Sequence, residues 1–297
     1  MDRVRTPIRI SLGHSPDPDD AFMWWPLFGV DGGPPAVECG RFQFHQVADD
    51  IESLNRRAAG PEEALLDVTA ISAANWALVR ERYLLTACGA SVGDGYGPKL
   101  VARRMVEPEA LAGARVAVPG RRTTAFVAAS LLLGPGRFQA VEVPFDRIEE
   151  SVAAGDVDAG VVIHEGQLTF QDKGLVLIRD LGRWWLDRTG LPLPLGVNAI
   201  RRDLDRRAGP GAIVEVAALL RRSLAHAMAH RAESLAYALR FARGLAPQTA
   251  DRFVEMYVNH WTLDFGERGR AAVLRLIGDA AAAGLLPPVS EPDLVPA

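Results

Sequence analysis

Short apolar runs alternate with longer stretches in which apolar residues recur at helical spacing, and this rhythm holds from residue 8 to residue 200. The short runs predict β-strands and the amphipathic stretches predict helices. A chain that alternates in this way favours an α/β fold. The predicted strands are 8–12, 41–47, 65–71, 83–89, 99–103, 115–118, 140–144, 159–163, 176–180 and 197–200.

Helices connect these strands and make up almost all of the chain after residue 210. The late helices show apolar residues on one face and are interpreted as scaffold. The predicted helices are 21–28, 51–58, 72–80, one that ends at 133, one that begins at Asp146, and then 213–230, 232–243, 247–258 and 267–283.

The alternation restarts near Lys99, as if a second unit were inserted into the first. A stretch rich in proline and glycine, 190–196, predicts an irregular connection that returns the chain to the first unit. We therefore predict one lobe from residues 1–98 and 198–297 and a second lobe from 99–197, joined by two crossing strands that act as a hinge. A two-lobed α/β protein of this kind closes a cleft on a small molecule.

Composition argues against several classes of partner. The 297 residues carry 33 Lys and Arg against 37 Asp and Glu, a net charge of −4 without long runs of one sign, which disfavours nucleic-acid or polybasic membrane binding. Only Cys39 and Cys88 occur, so we expect neither a disulfide framework nor a metal cluster. No signal-like segment or membrane-length apolar run is present. We expect a cytoplasmic protein with a small-molecule partner, and we leave its oligomeric state open.

The strand predicted over 159–163 stops at the corner His164-Glu165-Gly166. Ligands of open α/β sheets bind at the carboxyl ends of the strands, so an imidazole at this point faces a crevice. Histidine titrates near neutral pH and suits proton transfer, which makes His164 our candidate catalytic base. A histidine that only caps the turn is the alternative. Glu165 is a candidate for orienting the imidazole.

The loop after the first strand holds Ser15 together with Asp17, Asp19 and Asp20. Ser15 is a candidate substrate ligand because it follows a strand end. The three aspartates could bind a metal ion. Helix capping and turn formation explain acidic residues at this position without an ion, however, so we predict no metal site.

Two further strand ends open helices with polar side chains, Ser72 and Asn75 in the first half and Thr123 and Thr124 in the second. Side chains and backbone N–H groups at a helix start can hold an anion, so all four are candidate substrate ligands. A plain N-cap is the alternative at these positions. Replacing both threonines with valine is expected to raise KM and, apart from lost capping, to keep the unfolding free energy within about 1 kcal/mol.

Four motifs stand out along the chain: SPDPDDAF at 15–22, VPGRRTTA at 118–125, DVDAGVVIHEG at 156–166 and GLPLPLG at 190–196. Together they resemble the menaquinone-biosynthesis enzymes of the type II periplasmic-binding-protein fold, in particular the 1,4-dihydroxy-6-naphthoate synthases of the futalosine pathway. The resemblance covers the whole chain. It implies a two-lobed periplasmic-binding-protein type II-like fold with a central ligand cleft.

The resemblance also implies an activity, that of a carbon–carbon lyase which cleaves cyclic dehypoxanthinyl futalosine into 1,4-dihydroxy-6-naphthoate and dihydroxyacetone. In this family the histidine of the His-Glu-Gly corner, here His164, is the base. The segment Thr123-Thr124 helps to hold the substrate, which carries a carboxylate. No metal or redox cofactor is implied. The family pattern has Cys and Asn where this chain has Asp17 and Asp19, which leaves the role of that loop open.

Two alternatives remain at this point. Chorismate dehydratase of the same pathway shares the fold, but it is not expected to carry the His-Glu-Gly corner. A non-catalytic solute-binding protein is compatible with the fold, because fold does not determine function. The missing export signal speaks against that second alternative.

Overall fold

The computed structural model describes residues 6–242 and 245–295. The strands in these residues are β1 Ile8–His14, β2 Phe42–Ala48, β3 Val68–Ser72, β4 Tyr83–Leu85, β5 Ser91–Gly93, β6 Lys99–Ala102, β7 Arg115–Val118, β8 Gln139–Glu142, β9 Ala159–Val162, β10 Val176–Asp180 and β11 Leu193–Arg201.

The α-helices in the same residues are α1 Pro18–Phe28, α2 Ile51–Ala58, α3 Ala73–Val79, α4 Thr124–Leu133, α5 Ile148–Ala154, α6 Gly166–Thr169, α7 Leu181–Thr189, α8 Leu204–Ala208, α9 Ala212–Ala229, α10 Arg231–Ala238, α11 Pro247–Tyr257, α12 His260–Leu263 and α13 Gly266–Ala282. Short 3-10 helices lie at Glu62–Ala64, Pro108–Leu111, Phe145–Arg147, Phe170–Lys173 and Leu239–Phe241.

The strands form two mixed sheets. The first has the order β2-β1-β3-β11-β4, with β5 also paired to β11, and its strands β1, β2 and β3 run parallel. The second has the order β10-β6-β9-β7-β8, in which β7 is parallel to β8 and β9 while β6 is antiparallel to β9 and β10. Because helices connect the parallel strands, the α/β class predicted from the sequence is confirmed.

The chain passes from the first sheet to the second between β5 and β6 and returns between β10 and β11. The two connections touch, since the Leu181 N–H donates to the Pro98 carbonyl oxygen at 2.9 Å. A Cβ atom on Gly182 would lie 1.8 Å from the Tyr96 carbonyl oxygen. Only glycine therefore allows the two connections to approach this closely.

Strand β11 begins inside the proline and glycine stretch that we expected to be irregular. Leu193 and Pro194 pair with β5, and the register shifts between Pro194 and Gly196. An irregular register accommodates a proline, which has no N–H to donate to a strand ladder. The chain thus joins the first sheet at Leu193, although the expected lobe boundary is at 198. The division into lobes itself stays a prediction.

Several helices differ from the predicted pattern, among them α1 and α7. Helix α1 begins at Pro18 and not at residue 21, because proline is favoured in a first turn, where its missing N–H has no helical partner to lose. Helix α7 was not predicted. Asp180 caps it by accepting hydrogen bonds from the N–H groups of Gly182 and Arg183 at 2.9 and 3.0 Å. The helix predicted over 232–243 ends at a residue that lies outside the described ones.

The two sheets share part of their apolar core. One cluster of buried side chains joins Ile71 of β3 and Val197 of β11 to Val118 of β7 and to Trp185, which is fully buried. Packing therefore holds the sheets in a defined relative position beside the gap between them. Among residues 6–242 and 245–295, no helix is long and apolar enough to span a membrane.

Candidate active site

A cavity of about 100 Å³ lies between the two sheets. The first sheet and its loops contribute residues from the ends of β1 and β3 and from β11, while the second contributes residues that follow β7 and β9. Polar side chains from both sides thus meet in one space, as in the ligand clefts of α/β proteins. These residues include Ser15, Ser72, Asn198, Thr123, Thr124 and His164.

His164 follows β9 at the turn before α6, where the predicted strand was expected to end. Its backbone adopts a left-handed conformation with φ of 52°, which is uncommon for a residue with a side chain and is often found at functional sites. The ring of Phe145 meets the imidazole edge to face, with ring centroids 4.7 Å apart. The side chain of His164 is 14% exposed. The turn therefore directs a largely buried imidazole to the cavity.

Asp17 forms a close pair with this imidazole, since its Oδ2 lies 2.7 Å from His164 Nδ1. The sequence pattern around Asp17 is typical of a helix-capping loop. Asp17 does occupy the N-cap position of α1, but its side chain makes no capping hydrogen bond. Burial disfavours the ionised carboxylate, yet the charge and hydrogen bond of His164 outweigh burial and lower the pKa of Asp17. The pair therefore holds a negative charge beside the candidate base.

Asp19 and Asp20 lie beside Asp17 in the first turn of α1, and all three are buried. Burial and the charge of Asp17 raise the pKa of Asp19 well above its usual range and raise the pKa of Asp20 to about 8. The Asp20 carboxyl group accepts a hydrogen bond from the Ser15 N–H at 2.7 Å. These shifts favour Asp17 as the ionised member of the cluster.

The same three carboxyl groups are the one set of potential metal ligands found in the described residues, with one oxygen from each within 4.8 Å of the others. A divalent cation would need these groups ionised. In the protein without an ion, burial and mutual repulsion raise the pKa of Asp19 and of Asp20, so two of these three groups favour the protonated state.

The hydroxyl groups of Thr123 and Thr124 are already used within the protein. Thr123 caps α4 by accepting from the Phe126 N–H at 3.1 Å, and it donates to the Gly120 carbonyl oxygen. Thr124 accepts from the Ala74 N–H at 3.1 Å and donates to the Leu195 carbonyl oxygen at 2.9 Å. Both residues line the cavity. What they offer a ligand is the backbone at the start of α4 and not their hydroxyl groups.

The remaining predicted ligands fall in different surroundings. Ser15 and Ser72 line the cavity, and the Ser72 hydroxyl accepts from the Asn55 side chain at 3.0 Å. Asn75 is fully buried and does not belong to the described cavity wall. Its side chain donates to the Asn55 backbone oxygen at 3.2 Å and accepts from Arg122 at 3.4 Å. Asn75 is thus positioned to support the cleft from behind.

Several cavity residues were not anticipated from the sequence, among them Tyr257, Gln167 and Asn198. The Tyr257 hydroxyl of α11 donates to Gln167 Oε1 of α6 at 2.7 Å, which links a helix of the first unit to the helix that follows His164. Asn198 of β11 donates to the Gly89 oxygen at 2.7 Å, and its own side-chain oxygen has no hydrogen-bond partner among the described residues. No local pattern identifies Tyr257 or Asn198. Gln167 could have been suspected from its place three residues after the histidine.

Comparison with known proteins identifies relatives of the whole chain. A family model described as menaquinone biosynthesis matches residues 10–282. A protein of Thermus thermophilus named 1,4-dihydroxy-6-naphtoate synthase is 43% identical over 284 residues, which are 95% of this chain and 98% of the relative. A protein of Streptomyces coelicolor with the same name is 36% identical over 284 residues, which are 94% of this chain and 95% of the relative.

Solved structures agree with this assignment. A crystal structure from Archaeoglobus fulgidus is 41% identical and has a TM-score of 0.81, covering 94% of this chain and 98% of that one. The ligand-binding component of an ABC-type import system from Staphylococcus aureus is 13% identical, has a TM-score of 0.68 and covers 97% of this chain and 96% of its own. The second match concerns the fold alone. The chain belongs to the menaquinone biosynthesis family and has the periplasmic-binding-protein-like fold that the sequence motifs predicted.

Proposed function

We propose that this member of the menaquinone biosynthesis family is a carbon–carbon lyase that converts cyclic dehypoxanthinyl futalosine to 1,4-dihydroxy-6-naphthoate with release of dihydroxyacetone. His164 is the base in this proposal. The observation that carries it is the position of His164, a cavity-facing imidazole paired with a buried carboxylate, in a chain 43% identical to a protein named for this product.

The reaction needs a base that removes a proton from a substrate hydroxyl group and polar groups that stabilise the oxyanion formed as the carbon–carbon bond breaks. Formation of an aromatic ring supplies driving force. An imidazole performs the first task near neutral pH. The side-chain oxygen of Asn198, which lies in the same cavity, suits a hydrogen bond from a substrate hydroxyl group.

The substrate carboxylate is proposed to bind at the start of α4. The first N–H groups of a helix have no partner within the helix and lie at the positive end of its dipole. Thr124 and Ala125 present this part of the backbone to the cavity. Because the Thr123 and Thr124 hydroxyl groups bond to the protein, their contribution to binding is to shape this backbone.

A direct assay tests the function. Purified protein is incubated with cyclic dehypoxanthinyl futalosine, and both 1,4-dihydroxy-6-naphthoate and dihydroxyacetone are measured by mass spectrometry. The expected result is equimolar formation of the two products. A parallel incubation with chorismate separates this activity from chorismate dehydratase. Turnover of chorismate, or binding of the futalosine derivative without turnover, would contradict the proposal.

His164→Asn tests the role of the base. Removing a general base costs about 10²–10⁴ in rate, so kcat is expected to fall by that order while KM changes little. The unfolding midpoint measured on the same preparation is the control. A folded variant with near-normal kcat would rule out His164 as the base.

A further inference from the structure

We propose that Asp17 is a positioning residue for His164, holding the imidazole proton on Nδ1 and thereby making Nε2 the nitrogen that accepts the proton of the substrate. The inference rests on the proposed role of His164 as the base. It assigns to Asp17 a function that helix capping does not explain, because the Asp17 side chain caps nothing.

The geometry of the pair supports this role. The distance of 2.7 Å between Asp17 Oδ2 and His164 Nδ1 is that of a strong, charge-assisted hydrogen bond. The Asp17 side chain is only 2% exposed, so water competes poorly for this bond. The Phe145 ring contacts the imidazole from another direction. The orientation of His164 is therefore restrained at Nδ1 and at the ring.

The neighbouring carboxyl groups make Asp17 the charged member of the cluster. Burial and the charge of Asp17 raise the pKa of Asp19 and Asp20, which favours the protonated form of both. Three ionised carboxyl groups buried in one site would repel one another, so a single negative charge is favoured. This charge resides on Asp17, whose hydrogen bond to His164 Nδ1 places it beside the imidazolium ion that forms on proton transfer.

The proposed proton transfer makes use of this charge. Nε2 takes the proton from a substrate hydroxyl group, and the electron pair of the broken O–H bond stays on the substrate oxygen. The imidazole becomes an imidazolium ion whose charge the Asp17 carboxylate stabilises across Nδ1. Asp17 itself stays ionised and does not receive the transferred proton.

The two partners belong to different sheets, which couples the base to the relative position of the lobes. Asp17 lies between β1 and α1, whereas His164 follows β9. Further hydrogen bonds also cross this gap, among them those from Ala74 N to Thr124 Oγ1 and from the Tyr257 hydroxyl to Gln167. Separation of the sheets would remove the carboxylate from His164. The imidazole is therefore oriented only when the cleft has the width seen here.

The test uses full-length protein labelled with 15N-histidine, without substrate, and 1H–15N spectra of the imidazole rings between about pH 4 and pH 9, with the tautomer read from the neutral ring. The signal of His164 is identified among the six histidines by its loss in His164→Asn. We expect a single Nδ1–H tautomer in the unaltered protein. In Asp17→Asn we expect mixed tautomers and a titration midpoint that is lower by about 1–3 pH units, the usual effect of removing an adjacent opposite charge.

Asp251→Asn is the matched control, because it removes an exposed carboxylate whose partner is Arg231 and which does not line the cavity. It is expected to leave the His164 spectrum unchanged. His14, Asp19 and Asp20 are the other titratable groups that interact with Asp17, and they are retained in all these variants. If Asp17→Asn does not fold, Asp17→Ser is measured in its place, since it also removes the charge.

Kinetics then separate the two proposals. Asp17→Asn is expected to lower kcat by about 10²-fold with little change in KM. A misoriented His164 imidazole would lose part of the rate enhancement of about 10²–10⁴ that a general base provides. A folded, charge-removing variant with an unchanged His164 spectrum would overturn the positioning role, even if the futalosine derivative is converted. The expected spectral change without any turnover in the unaltered protein would instead refute the proposed function alone.

Discussion

Replacing Thr124 with valine is expected to destabilise the protein, because the hydroxyl group of Thr124 connects the two units. It accepts from the Ala74 N–H at the start of α3 and donates to the Leu195 carbonyl oxygen on β11, while Thr124 itself belongs to α4. Valine has nearly the same shape but no hydroxyl group. The substitution therefore removes both hydrogen bonds and leaves the packing almost unchanged.

The expected decrease in the free energy of unfolding follows from the hydrogen bonds that the Ala74 N–H and the Leu195 carbonyl oxygen lose. Ala74 is 1% exposed, so its N–H group is left without a partner at a cost of about 1–3 kcal/mol. Leu195 lines the cavity, where water can replace the lost donor at a smaller cost. We expect a total of about 2–4 kcal/mol. The sequence alone predicted that, apart from lost capping, stability would stay within about 1 kcal/mol for both threonines together. The contacts of Thr124 predict a larger loss.

Urea unfolding followed by circular dichroism measures this loss as a lower midpoint with an unchanged dependence on urea concentration. Thr124→Ser is the matched control, because it keeps the hydroxyl group and loses one methyl group, worth about 1 kcal/mol. The valine variant should unfold at a clearly lower urea concentration than the serine variant. Equal midpoints for the two variants would refute the view that this hydroxyl group joins the lobes.

Two further predictions concern the walls of the cavity. Asp20→Asn should make stability less dependent on pH. The folded protein retains the Asp20 proton up to about pH 8 whereas the unfolded chain releases it near 3.8, so stability falls as pH rises between these values. Melting temperatures from about pH 5 to pH 9 test this, and parallel curves for both proteins would contradict it. Tyr257→Phe should cost about 1–3 kcal/mol, because Gln167 Oε1 loses its donor at 2.7 Å, and an unchanged urea midpoint would argue against this link.

Much of the framework could be predicted from local patterns. The strands 115–118 and 176–180 and the helix 51–58 have the bounds that hydrophobic spacing predicted, because burial on one face determines where regular structure begins and ends. The position of His164 after a strand followed from the Gly-containing corner. The motifs spread along the chain also predicted the family and the fold. The bounds of the strands and helices and the corner at His164 depend on neighbours close in sequence.

The carboxyl cluster and its pairing were decided by the tertiary structure. Asp17 and His164 meet only because two sheets assembled from distant segments place the end of β1 opposite the end of β9, and nothing local to either residue signals the contact. The same applies to the hydrogen bond between Tyr257 and Gln167. The pKa values of the three aspartates and the strength of these hydrogen bonds depend on burial, which is a property of the packed molecule. The sequence therefore determined which groups stand at the strand ends, whereas packing between the sheets decided which of them interact and which carry charge.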